Sequence, residues 1–199
     1  MTSLAALLRQ ISILLDKQKQ PWALIGGLAV SIRAEPRFTR DIDLAIAVSN
    51  DCAAETLVFN LQATGFRTLA TVEQEETHRL ATARLAPAGD HSQGLMLDLL
   101  FASSGIEAEI CDSAERLQVF PDCVVPVARI SHLIALKILA RDDRLRPQDA
   151  VDLQQLLATA HESDLDAAHD AVCLIEKRGF NRSRNLVKAL MNTRQEFGQ

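Results

Sequence analysis

From Asp41 to Val48 the chain alternates without a break: Asp41, Asp43, Ala45 and Ala47 fall on one side, Ile42, Leu44, Ile46 and Val48 on the other. A period of two places successive side chains on opposite faces, so this is a strand with an apolar face that needs a core behind it. Its other face begins with two carboxylates, whose Cα atoms stand roughly 6.5–7 Å apart in an extended chain. Aspartate is depleted in strands because it competes for backbone hydrogen bonds, and two on one face repel. Either this is a solvent face that happens to be acidic, or the two carboxylates converge on Mg²⁺ ions, a pair of which would sit about 3.5–4 Å apart.

What precedes the strand bears on that choice. Trp22–Ile25 reads as a short apolar strand, and Gly26-Gly27 turns the chain into a helix from Leu28 to about Ala34, which Pro36 ends. Thirteen residues, Leu28 to Arg40, separate the glycines from Asp41. The turn matches neither Gly-x-x-x-x-Gly-Lys-[Ser/Thr] nor Gly-x-Gly-x-x-Gly. A strand, a glycine pair and a helix start can still offer free N–H groups to a phosphate, with Ser31 one turn on near the same place. Arg37 and Arg40 either meet phosphate or balance Asp41 and Asp43, and spacing alone does not separate these roles.

A third carboxylate stands apart. Leu95–Phe101 is an apolar strand interrupted by Asp98, with no cation nearby in sequence. A buried carboxylate must be neutralised, paired or bound to metal, whereas one at a sheet edge can simply face water. If this strand lies beside Asp41–Val48, three carboxylates meet at one end of a sheet.

The remaining pattern places these strands in a mixed frame. Leu4, Leu7, Leu8, Ile11, Leu14 and Leu15 recur at helical spacing over residues 3–18. Ser49 is positioned to cap a helix to about Ala63, stopped by Gly65. Phe66–Val72 and Arg79–Ala86 read as strands, with turns at Glu73–His78 and Pro87–Gly94. A two-turn helix over Ser104–Asp112 and extended pieces at Arg116–Phe120 and Cys123–Val127 follow. Beyond Val127 only helices are expected: one capped by Ser131 and running through Arg141, Pro147 leading Gln148–Thr159, one from Ser163 to Arg178 ended by Gly179, and Asn181–Phe197. The reading is an α/β (α+β) fold with a mixed sheet of about five strands flanked by helices and a C-terminal helical bundle. The expected units are a core over 1–128 and a helical domain over 129–199.

Composition narrows the function. At 4% aromatic, with one Trp and no Tyr, the chain has little for a base-stacking platform. A net charge of −5 argues against non-specific nucleic-acid binding by the whole surface. Residues 177–194 are the exception: Lys177, Arg178, Arg182, Arg184, Lys188 and Arg194 with no acid give +6 and leave −11 elsewhere. This block is either a solvated face or the place where an RNA acceptor rests. Cys52, Cys111, Cys123 and Cys173 form no Cys-x-x-Cys pair and read as free thiols. The five histidines show no metal-ligand spacing. With no signal peptide or apolar span of about 18 residues, a cytoplasmic protein with no membrane partner is expected.

Ala23-Leu24-Ile25-Gly26-Gly27-Leu28-Ala29-Val30, then Arg37-Phe38-Thr39-Arg40-Asp41-Ile42-Asp43-Leu44, then Asp98 in a later strand, resemble the nucleotidyltransferase superfamily. That group includes DNA polymerase beta and the tRNA CCA-adding enzymes. The likeness is strongest to its AbiEii-type toxin members, more distant to aminoglycoside and lincosamide nucleotidyltransferases, and covers residues 22–101. It implies that Asp41, Asp43 and Asp98 are catalytic and hold two Mg²⁺ ions. It further implies that Gly26, Gly27, Ser31 and Arg40 lie near the triphosphate of an incoming NTP. Lys137, interrupting the apolar run Leu133–Leu139, would point at that triphosphate by the same likeness, or its stem covers core while its ammonium reaches water. Asp149 would orient that lysine, or merely favours the first turn of a helix.

The function so implied is Mg²⁺-dependent transfer of NMP from NTP to a hydroxyl of RNA such as tRNA, or of a protein, by a toxin with a cognate antitoxin. The alternatives are an antibiotic nucleotidyltransferase, for which no acidic drug-binding surface is visible in the sequence, and a silent nucleotide-binding or interaction protein.

Overall fold

The computed structural model describes residues 3–75, 77–88, 94–142 and 147–198. The turn expected at Pro87–Gly94, His91 included, lies largely outside them. In chain order the elements are α1 (Leu4–Lys17), β1 (Trp22–Ile25), α2 (Gly26–Arg33), β2 (Asp41–Ile46), α3 (Asp51–Ala63), β3 (Phe66–Glu73), β4 (Leu80–Pro87) and β5 (Met96–Leu100). Then follow α4 (Glu107–Ser113), β6 (Glu115–Phe120), β7 (Cys123–Val127), α5 (Ile130–Ala140), α6 (Pro147–Thr159), α7 (Glu162–Lys177) and α8 (Leu186–Glu196).

The strands form one mixed seven-stranded sheet in the order β3-β4-β5-β2-β1-β7-β6. The sheet is larger than the five strands expected, because β7 runs parallel to β1 and brings β6 with it. Pro126 sits on β7, which lies between β1 and β6. Central strands β1 and β2 carry fully buried side chains, among them Leu24, Ile42, Leu44 and Ile46. The outer strand β3 is exposed after Phe66, as suits an edge.

Helix ends moved by one to five residues. Asn50 caps α3 through its side chain to the Ala53 N–H at 2.9 Å, in place of Ser49. Ser131 lies inside α5, whose N-cap is Arg129, and Ser163 lies inside α7, whose N-cap is His161. Asn185 caps α8, five residues later than Asn181–Phe197 implied, because Arg182 and Ser183 take left-handed φ of 54° and 55° and stop a helix from starting there. Helix α5 is apolar on nearly every side and packs against α2, α6, α7 and α8, the position of a central helix. This seats Lys137, on α5, beside the sheet's carboxylates.

Candidate active site

Strand register assembles the site. Ile25 of β1 pairs with Asp43 of β2, Asp43 with Asp98 of β5, Asp98 with Arg84 of β4, and Arg84 with Ala70 of β3. These five residues form one row across five strands, and all five line a cavity of about 900 Å³. Asp41, two residues along β2, lines it as well. The parallel pairing of β2 with β5 is the decisive step, since it sets two carboxylates side by side on neighbouring strands.

Asp98 is buried, with 7% of its surface exposed, and it is not unpaired. Arg84 donates to both its oxygens, Nε to Oδ1 at 2.8 Å and Nη2 to Oδ2 at 2.6 Å. The cation missing from the local sequence comes from across the sheet. Asp43 keeps some surface in the cavity, yet the protein packed around it pushes its carboxyl up to about 7. Repulsion from Asp98 and then Asp41 adds to that rise, and Lys137 and Arg84 oppose it.

The paired glycines have a local explanation. Gly26 takes φ +66°, and a Cβ there would overlap the Asp43 carboxyl. A Cβ on Gly27 would overlap the Arg37 guanidinium. Helix α2 begins at Gly26 itself rather than at Leu28, and both glycines line the cavity. With the helix started there, the Ser31 hydroxyl back-bonds to the Gly27 carbonyl at 2.9 Å and accepts from the Arg37 N–H at 3.2 Å. Ser31 therefore braces the loop after α2 and does not line the cavity. Arg40 does not line it either; its guanidinium lies over the Phe38 ring, 5.4 Å from the centroid.

A second charged group lies on the helical side. Lys137 Nζ donates to Asp149 Oδ1 at 2.5 Å and is 2.7 Å from Asp152 Oδ2. Arg37 Nη2 donates to Asp152 Oδ2 at 2.9 Å, with Nε 2.8 Å from Oδ1. Burial alone would raise the Asp152 pKa, but the bonds from Lys137 and Arg37 hold it below the usual carboxylate range. Asp149 is buried and bonded to Lys137, which its place in the first turn of α6 did not require. Its Oδ2 has no hydrogen-bond partner among the described residues.

Arg84 and Asp152 were not anticipated from the sequence, nor was the place of the turn before α8. Arg84 reaches the site through cross-strand register and Asp152 through the packing of α6 on α5. Arg182 and Ser183 line the cavity from the turn between α7 and α8. The basic block does not act as a unit: Arg178 pairs with Glu109, Arg184 bonds the Leu139 and Arg141 carbonyls, and Arg194 pairs with Glu162. Glu73 and Glu75 also stand on the cavity wall, an acidic feature not evident in the sequence.

The family model for the nucleotidyl transferase AbiEii toxin of type IV toxin–antitoxin systems matches residues 6–196. The chain belongs to that family. It is a nucleotidyltransferase, and the match spans both the sheet and the C-terminal helices. Among solved structures this AbiEii-family chain is similar to an antigenic nucleotidyltransferase-like protein from Paracoccidioides brasiliensis, with TM-score 0.59 and 20% identity over 97% of this chain and 88% of that one. It is also similar to the antibiotic-resistance factor ANT(2'')-Ia, with TM-score 0.50 and 17% identity over 98% and 90%. At such identities the likeness is one of fold. No curated protein matches the sequence.

The residues fit a hard divalent cation. Asp41, Asp43 and Asp98 supply only oxygen ligands, and Asp43 is raised first by burial and then by the like charges of Asp98 and Asp41. As the side chains stand, no group of three or more His, Cys, Asp or Glu among the described residues is gathered to hold a metal. The Asp98 carboxylate is spent on Arg84. All four cysteines are free thiols, and no helix among the described residues is long and apolar enough to cross a membrane.

Proposed function

We propose that this family member transfers NMP from an NTP to a hydroxyl of an RNA such as tRNA, with Asp41, Asp43 and Asp98 as its catalytic carboxylates. The observation that carries the proposal is the row Asp43–Asp98, with Asp41 beside it, lining one cavity with Gly26, Gly27 and Lys137. The three carboxylates would hold two Mg²⁺ ions, which when bound would neutralise the triphosphate and lower the pKa of the attacking hydroxyl. The open backbone at Gly26 and Gly27 and the Lys137 ammonium would bind the phosphates. Asp149 Oδ2, without a partner among the described residues, would accept a hydrogen bond from a hydroxyl or amino group of the nucleotide. Arg182 on the cavity wall, with exposed Lys177 and Lys188 in the same segment, would meet the phosphates of the acceptor. Activity of this kind in a toxin family implies a cognate antitoxin and a cytoplasmic setting.

The test is incubation with each α-labelled NTP and Mg²⁺, with RNA, protein and small-molecule pools resolved separately. Label in RNA that disappears with Asp41→Ala supports the reading, and label in no pool would sink it. A second reading has its own observation. Glu73 and Glu75 on the cavity wall suit a polycationic small molecule, and label in an aminoglycoside pool would favour an antibiotic nucleotidyltransferase.

A further inference from the structure

We propose that Arg84 is a cationic latch on the catalytic carboxylates: it holds Asp98 until a divalent ion displaces it, and the guanidinium so released binds a phosphate of the nucleotide. The inference rests on the reading of Asp41, Asp43 and Asp98 as metal ligands.

The pair is lopsided. The Asp98 side chain is 10% exposed and fixed in the sheet, whereas that of Arg84 is 45% exposed. Both oxygens of Asp98 carry a bond from the fork of the guanidinium, so a metal ion that binds either one competes with Arg84 for its charge and lone pairs. The pair holds Arg84 through its charged end, while the partly exposed stem leaves the side chain room to move once Asp98 is taken. A dication among three carboxylates outcompetes one guanidinium for the same oxygens.

Position decides where the released group ends up. Arg84 stands next to Asp98 in the row Ile25–Asp43–Asp98–Arg84–Ala70, on the wall of the same cavity as Gly26, Gly27 and Lys137. Once its carboxylate is shared with a metal, the strongest acceptors within that cavity are the oxygens of a bound triphosphate, and guanidinium matches them in a bidentate way. The alternative is a staple: Arg84 and Asp98 would then join β4 to β5 for stability alone, and removing the arginine would loosen the carboxylate and weaken metal binding.

Latch and staple give opposite signs. Mn²⁺ serves as a spectroscopic probe for the site, titrated by electron paramagnetic resonance into the full chain without nucleotide. Arg84→Gln is expected to tighten Mn²⁺ at least about threefold, because competition for Asp98 is gone. With Mn²⁺ saturating, the same variant is expected to bind a non-hydrolysable ATP analogue at least about fivefold more weakly, having lost a charge-assisted contact. Unchanged or weaker Mn²⁺ binding in Arg84→Gln overturns the latch, and unchanged analogue binding overturns the phosphate role. Should that variant fail to fold, Arg84→Lys keeps the charge without the two-pronged grip and must still bind Mn²⁺ more tightly than the parent. Parent binding abolished by Asp41→Ala shows that the metal reading stands even where the latch fails. Absence of Mn²⁺ binding in the parent overturns both.

Discussion

The molecule carries two buried charge groups a short way apart, and they are balanced differently. On the sheet, Asp41, Asp43 and Asp98 have Arg84 as their one bonded cation among the described contacts. On the helices, Asp149 and Asp152 are matched by Lys137 and Arg37. The sheet group is under-neutralised, and burial together with repulsion from Asp98 and Asp41 pushes the Asp43 carboxyl up to about 7. The helical group is near neutral, and Asp152 sits below the usual range. On the function proposed above, the deficit would be met by a divalent cation, and the matched set would serve to hold Lys137 and Arg37 in place.

Removing charge from each group should therefore fail in different ways. Asp43→Ala is expected to lower nucleotidyl transfer on the order of 10³-fold or more with the fold intact, as read by labelled-product formation beside circular dichroism. Retained activity would break the comparison outright. Asp152→Asn is expected to cost about 3 kcal/mol in urea unfolding, because two buried cations would lose their shared partner. If it instead lost activity at unchanged stability, the helical group would belong to the chemistry. Between the two lie the glycines, one serving each group. Gly26→Ala is expected to cost about 2 kcal/mol, through both its positive φ and the Asp43 carboxyl, and Gly27→Ala less, since only the end of Arg37 must move.

The pH dependence sharpens the contrast further. Asp43 is raised on folding from 3.8, so its proton is bound more tightly by the native state. Its contribution to stability is full below the unfolded pKa and is lost as pH rises through about 7. Without divalent ion, the difference in unfolding free energy between the parent and Asp43→Asn should therefore fall with pH between 5 and 7. Facing an open cavity, the carboxyl should give a slope under about 1 kcal/mol per pH unit. A flat difference would remove the charge deficit. The smallest effect is expected at Arg40, off the cavity wall: Arg40→Ala should change stability by less than about 0.5 kcal/mol and leave the KM for NTP within twofold.

Much of the frame was legible because it rests on local rules. Alternation from Asp41, the glycine pair after an apolar strand and the apolar run around Lys137 identify the strand, the turn and the central helix without knowledge of neighbours. Asp98 announced itself as a carboxylate in need of a partner. The partner was not legible, because Arg84 lies fourteen residues away and becomes adjacent only when β4 and β5 pair antiparallel in one register. Ser31, expected near the phosphates, turns its hydroxyl back to the Gly27 carbonyl, since the helix starts at Gly26.

By itself, then, the sequence determined which residue types carry unusual cost: two aspartates on one strand face, a third in an apolar strand, a lysine in an apolar helix. Such costs follow from desolvation and repulsion, which depend on the residue and its immediate pattern. Only the tertiary structure decided how each cost is met. Strand register made Asp43 and Asp98 neighbours and set Arg84 against one of them, and packing of α6 on α5 matched Lys137 and Arg37 to Asp152. Partnership between charges is a matter of distance in space, and in this chain the partners come from different elements.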